Sequence, residues 1–443
     1  MIYDNKINYT KWFQNALNQG FQALEFLTNK DISMSISLED GKICEHVKSD
    51  ICTNIIKGLY QNKKSSMYLE KIDETQMKET LQLLKDQISF LNFKEKDFIF
   101  EGSSVYPDVI NSNFNFATIN IQKKYDLLFQ LKEQLTKSMF LHKIENISYN
   151  EIFSKHKIVN SKGLNLEEES SLLTLHVYCI FKKDQEIQEI IESLTVHNFD
   201  QINISEYSQK IISLGEKKLT THSLKSQVYP TVLSNKIFAK LLNSFSNIFN
   251  GMYAYRNLTK LKDKVGEPIA SSKVTLIDEP LYDKAFFKYK FDDEGVSCYT
   301  KKIIDKGVLK QFIHNLKTSF IFDAKPTGNS FSNSIAMTNC YLKEGDKSLE
   351  EMISPITQGV YIDYVIGLHA GVNDVSGDFS VQASGFKIEN GKITTPVKML
   401  VMTGNFFDIL LNLKDIANDL LLQTSGFGSP SVYVGDLTIA GEN

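Results

Sequence analysis

The segment "FDDEGV" (291–296) places three carboxylates, Asp292, Asp293 and Glu294, directly before a glycine. Paired carboxylates can hold Mg²⁺ or share a proton in general acid–base work. Consecutive side chains on a strand point to opposite faces, so Asp292 and Asp293 do not converge on one ion. Gly295 and the alternating run "VSCYTKKII" (296–304) follow, so the segment reads as a solvated acidic turn entering a strand. On that reading Asp292→Asn leaves the fold intact.

Cys44, Glu45, His46 and Cys52 crowd a second short stretch, "ICEHVKSDIC" (43–52). Zinc sites draw tighter Cys/His pairs from two separate places, and the chain has no second pair, so these read as half-buried strand residues. His369 is the only one of eight histidines in a Gly-rich loop, "IGLHAGVND", and reads as a loop hydrogen-bonding group. No Ser sits in a G-x-S-x-G elbow, and there is no phosphate-binding glycine loop.

The elements that would position these residues follow from periodicity. Apolar spacing predicts helices over 10–28, 74–90, 121–139 and 235–249. The last buries Phe238, Leu241, Leu242, Phe245, Ile248 and Phe249 and stops at Asn250-Gly251. Alternation predicts a hairpin over 32–47 turning at Asp40-Gly41, a strand over 156–166 broken at Ser161-Lys162-Gly163, and a buried strand over 171–181. The acidic stretch 183–207 reads as containing a surface helix. Later hairpins turn at Lys306-Gly307 and Asn390-Gly391, a helix is expected around 405–421, and "LTIAGEN" ends the chain as a strand.

The expected architecture is α+β: an N-terminal α/β domain (1–220), then a C-terminal domain dominated by antiparallel β-sheet (221–443). The boundary falls in the polar stretch 215–228. A chain of 443 residues, 42% hydrophobic and 23% charged, is of ordinary globular composition. Of its 49 basic residues only Arg256 is an arginine, and the net charge is −4, which argues against nucleic-acid readout. The longest apolar-leaning run, 171–181, is too short for a membrane helix, and residues 1–20 hold no apolar signal core. Five cysteines without a C-x-x-C pair point to reduced thiols and a cytoplasmic location.

Several fragments then occur in a telling order: "FDDEGV", "GVLKQF", "KPTGNS", "YLKEGDKSLEEMI", "GVNDVSGDFSVQASGFKIENGKITTPV", "GFGSPS" and "LTIAG". Together they resemble the TldD/PmbA family, once described as modulators of DNA gyrase and now seen as peptidase subunits. The resemblance is strongest over about 225–443, with "IVNSKG" and "YPTVLS" in the expected places before and at its start. It implies two subunit types. The TldD type is a zinc metallopeptidase with His-Glu-x-x-x-His on a helix after the "YP" strand and a further cysteine ligand near the C-terminus. The TldE/PmbA type keeps the fold without the ligands and pairs with the first.

Counting from Tyr229-Pro230 puts that motif at "NSFSNI" (243–248), so Asn243 and Ile248 stand for the histidines and Ser244 for the glutamate. The C-terminal segment 423–435 holds no cysteine. The resemblance therefore implies a TldE/PmbA-type chain with no cofactor of its own. Zinc is expected only in a TldD-type partner, and the substrate is a small unfolded peptide. The competing reading is a stand-alone homodimer that binds peptide or protein without cutting it. Neither nucleic acid nor membrane is expected as a partner. A motif shared by both subunit types can shape a common groove for peptide or partner. Asp292, Gly371, Asn373, Asp378 and Phe379 are the candidates.

Overall fold

The structure, a computed structural model, describes residues 7–91, 95–219 and 222–441. Thr220 and Thr221 of the expected boundary stretch, and Glu442 and Asn443 after the last strand, lie outside them.

Helix α1 (Tyr9–Asn18) starts where the Asn8 side chain accepts the Lys11 N–H at 3.1 Å. It does not run to residue 28 as expected. The chain turns after Asn18, and Ala23–Glu39 is strand β1. With β2 (Lys42–Tyr60), β3 (Lys63–Leu69), β4 (Leu141–Asn160), β5 (Asn165–Lys183) and β6 (Glu186–Val196) it builds one sheet, ordered β3-β2-β1-β4-β5-β6. Every pairing in it is antiparallel. The β1–β2 turn is at Asp40 (φ 45°) and Gly41 (φ 76°), as the hairpin signal required.

Helices lie on one face of this sheet in two groups. α1 and α2 (Met77–Ser89) bury Trp12, Leu81 and Leu84 against Leu24, Phe26 and Ile56. α3 (Ile121–Leu135) and α4 (Ile204–Lys217) bury Leu128, Leu131 and Ile211 against Tyr149, Leu175 and Val177. The surface helix expected within 183–207 is instead edge strand β6, and α4 begins only at Ile204.

Beyond residue 226 the pattern changes. β7 (Gln227–Leu233) leads through the Ser234 cap into α5 (Asn235–Phe245), which continues as a 3₁₀ turn to Phe249. β7 pairs in parallel with Gln358–Ile366 and antiparallel with Val432–Ala440. The hairpin Asp378–Glu389/Lys392–Asn405 extends the sheet, and pairing of Val401–Thr403 with Thr438–Ala440 closes it into a ring. A second sheet includes Leu276–Asp278, Lys301–Asp305 and Cys340–Leu342. Both sheets share one large core with the apolar face of α5. The helix expected around 405–421 ends at Asn412, because Asp415-Ile416 pairs with Tyr433-Val432.

The molecule is therefore α+β, with antiparallel sheet dominant in both halves. No helix among the described residues is long and apolar enough to cross a membrane.

Candidate functional site

The positions set by the family motif lie at the C-terminal end of α5. Asn243 is exposed, and the Ser244 hydroxyl donates to the Lys240 carbonyl, 3.0 Å away, along its own helix. Ile248 is fully buried in the large core. Zinc needs imidazole, thiolate or carboxylate donors converging on one point. Here two weak oxygen donors sit at or near the surface, while the third side chain is a hydrocarbon turned inward. This donor set does not fit the metal. Among the described residues no group of three or more His, Cys, Asp or Glu side chains is arranged to hold one.

The end of α5 rests on the loop 367–378. Phe245 stacks on Phe406 at 4.5 Å and 7°, and meets Phe379 at 6.4 Å. Asn247 Nδ2 donates to Asp374 Oδ2 at 3.3 Å. Within the loop Asn373 Oδ1 accepts the N–H groups of Val375 and Ser376, both at 3.1 Å. Asp378 Oδ1 accepts from Asn405 Nδ2 at 2.8 Å, which holds its carboxyl below the usual range.

Gly371, Asn373 and Asp378 thus share one loop beside residues 243–248. Asn373 also lines a shallow cleft of about 340 Å³ with Thr259 and Lys260. The other two groove candidates present no surface. Phe379 is buried beneath the loop, and Asp292 is completely buried elsewhere, in the acidic turn.

That turn forms as expected: Gly295 adopts φ 78°, and Asp292 N–H donates to the Val296 carbonyl at 3.0 Å. The expectation that it is solvated is corrected. Asp292 Oδ1 accepts the N–H groups of Glu294 and Val296, both at 3.0 Å, and Oδ2 accepts that of Ser330 at 2.9 Å. Burial, then the neighbouring Glu294 charge, pushes the Asp292 carboxyl up to about 8 against these three donors.

Asp293 turns the other way, as strand alternation requires. Its Oδ2 accepts Ser332 N–H at 2.7 Å, and its Oδ1 lies 3.6 Å from His156 Nε2 of β4. Its carbonyl accepts from Lys57 Nζ of β2 at 2.9 Å, and Lys57 is paired with Glu25 of β1 at 3.0 Å. Glu294 reaches Lys64 of β3 at 3.3 Å and accepts Leu316 N–H at 2.8 Å. The turn is buried because the N-terminal sheet closes over it. Asp293 and Glu294 tie the turn to the N-terminal sheet, while Asp292 holds the turn itself and Ser330, so the three carboxylates do not gather around an ion.

Cys44 and Cys52 lie eight residues apart on β2, about 26 Å at strand rise, and so cannot share a metal. His46 Nδ1 meets Tyr125 OH at 2.9 Å, and His369 is exposed. Sequence reasoning missed a fully buried knot. Asp278 accepts from Lys301 Nζ at 3.0 Å, Asn329 Nδ2 at 2.9 Å, and Thr338 N–H and Oγ1 at 2.8 and 2.7 Å. A lone Asp and a lone Lys 23 residues apart carry no local signal, since only the register of strands 276–278 and 301–305 joins them.

Residues 226–441 match the family model described as the PmbA/TldA metallopeptidase C-terminal domain. A metalloprotease of Methanocaldococcus jannaschii is 26% identical over 426 residues, covering 91% of this chain and 92% of that protein. A solved structure of a candidate modulator of a DNA gyrase from Thermotoga maritima superposes with a TM-score of 0.91 at 26% identity, covering 97% of this chain and 99% of that one. TldE from Thermococcus kodakarensis superposes at 0.87 over 98% and 99% of the two chains. At 19% identity, that is a likeness of fold alone.

Proposed function

Because residues 226–441 are a PmbA/TldD-family domain, we propose that this chain is a TldE/PmbA-type subunit. It pairs with a TldD-type zinc metallopeptidase and completes a chamber in which small unfolded peptides are cut. The observation that carries the reading is the donor set at 243–248, where Ile248 is packed into the core and Asn243 and Ser244 offer no imidazole or carboxylate. The zinc and the general base belong to the partner.

An extended peptide is best held by strand addition, which supplies main-chain hydrogen bonds without side-chain specificity. The C-terminal ring is closed by its last strand, whereas β6 at the rim of the N-terminal sheet has one edge, along Glu186–Val196, with no strand paired to it among the described residues. β6 is the edge we assign to peptide or partner. Among the described residues all five cysteines are unpaired, which supports a reducing, cytoplasmic setting.

Reconstitution with a TldD-type subunit tests the proposal. Hydrolysis of an unstructured peptide is expected only with both chains present, and a chelator should abolish it. A partner equally active without this chain would overturn the reading. So would elemental analysis finding one zinc per purified chain, retained through dialysis.

A further inference from the structure

A cavity of about 570 Å³ opens between the segment around Ala254–Val265 and residues of the 299–325 region. His314 is in its wall, only 5% exposed. Nδ1 lies 3.2 Å from Thr318 Oγ1, while Nε2 has no hydrogen-bond partner among the described residues. Nε2 is not sealed from solvent either, so it opens on the cavity. The Thr318 hydroxyl has a second acceptor in Asn315 Oδ1 at 3.1 Å; in the tautomer in which it donates to Nδ1, the remaining ring proton sits on Nε2 and points at whatever fills the space.

The rim carries Lys262, Lys310 and Lys325 against a single carboxylate, Asp263. Lys262 Nζ is bonded to the neutral Asn257 Oδ1 at 2.5 Å. No carboxylate among the described residues lies within ion-pair distance of Lys310 or Lys325. Tyr299 and Phe322 complete the wall with aromatic surface. Three lysines against one rim carboxylate, a buried imidazole nitrogen and flat apolar walls are complementary to an anion with an organic body.

We propose that this cavity binds a small organic anion. Its carboxylate or phosphate is received by His314 Nε2–H and the lysine ammonium groups, and its apolar body lies against Tyr299 and Phe322. A bare inorganic ion would leave most of the volume and both rings unused. The site belongs to this chain alone and does not depend on a peptidase partner.

Titration calorimetry on the isolated full chain tests it with four probes: hippurate, its uncharged amide, phenyl phosphate and inorganic phosphate. At least one organic anion should bind with a millimolar or lower Kd, about tenfold more tightly than the amide or inorganic phosphate. Which of the two organic anions binds better identifies the oxyanion. The double change Lys310→Gln/Lys325→Gln should weaken binding about tenfold while leaving the melting temperature unmoved. The His314 ring resonances should shift on saturation. No binding of either organic anion up to about 10 mM would overturn the site. So would equal affinity for hippurate and its amide, inorganic phosphate binding as tightly as the organic anions, or a lysine variant that binds like the parent.

Discussion

Asp292 accepts three N–H bonds inside a fully buried turn, so Asp292→Asn converts one acceptor oxygen into an amide donor facing another donor. Measured above pH 8, where the carboxyl is ionised and accepts all three, a cost of about 2–4 kcal/mol is expected, read as a lower urea midpoint with an unchanged slope. From the sequence alone the same change looked silent, because three adjacent acids before a glycine look like surface. Only the sheet that covers them says otherwise.

Glu168 of β5 gives a pH-dependent counterpart. Its Oε2 is buried without a partner among the described residues, and burial pushes the carboxyl from 4.5 up to about 7, opposed by the Lys290 N–H. The unfolded chain releases this proton near the ordinary value while the folded chain keeps it to about 7. The Glu168 contribution to stability therefore falls as pH rises through that window. Glu168→Gln removes the titration, so its stability relative to the parent should rise by about 1–3 kcal/mol between pH 5 and 8.5 in denaturant melts. A stability difference independent of pH would show that the carboxyl is not held up.

The elements were legible where the turn or helix chemistry was local. Asn390 and Gly391 both adopt positive φ, 50° and 73°, as a two-residue hairpin turn demands. A Cβ on Gly391 would also come within 2.5 Å of the Ser354 carbonyl oxygen. Gly391→Val combines both penalties and should cost about 2–4 kcal/mol, seen as a drop in melting temperature. A melting temperature equal to the parent's would mean the hairpin had shifted its turn.

Legibility failed where a strand carried helical spacing. Ile187, Ile190, Ile191 and Leu194 fall at i, i+3, i+4 and i+7, yet Glu186–Val196 pairs with β5 along its whole length. Ile187 and Ile191 consequently face outward at 53% and 58% exposure while Ile190 is buried. Pairing with a neighbour outweighed propensity there, as it did where the helix after Asn405 gave way to pairing with Tyr433. The expected motif positions Asn243, Ser244 and Ile248, counted from Tyr229-Pro230, lie together at and just beyond the end of α5. The cavity around His314 was not legible, since its lining residues span Ala254 to Lys325 and meet only in the fold.

At the scale of the whole molecule, the acidic turn makes two sheets into one object. Phe291, just before it, is 1% exposed and packs among Leu27, Ile55, Ile158 and Leu164 of the N-terminal half. Its ring lies 5.5 Å from that of His156. Around this plug run the bonds from Lys57, Lys64 and Tyr106 to the carbonyls and carboxylate of residues 293–295. Separating the halves would strand the Lys57 ammonium with one partner fewer and expose the apolar cluster, so the parent chain should melt in a single calorimetric transition. Phe291→Ala leaves a cavity at the junction and should cost about 3–5 kcal/mol. The loss falls on contacts between the halves, so the single transition should broaden or split, and the less stable half should melt first. Two transitions already present in the parent, with Phe291→Ala moving neither, would mean that the halves fold independently and that the clasp does not couple them.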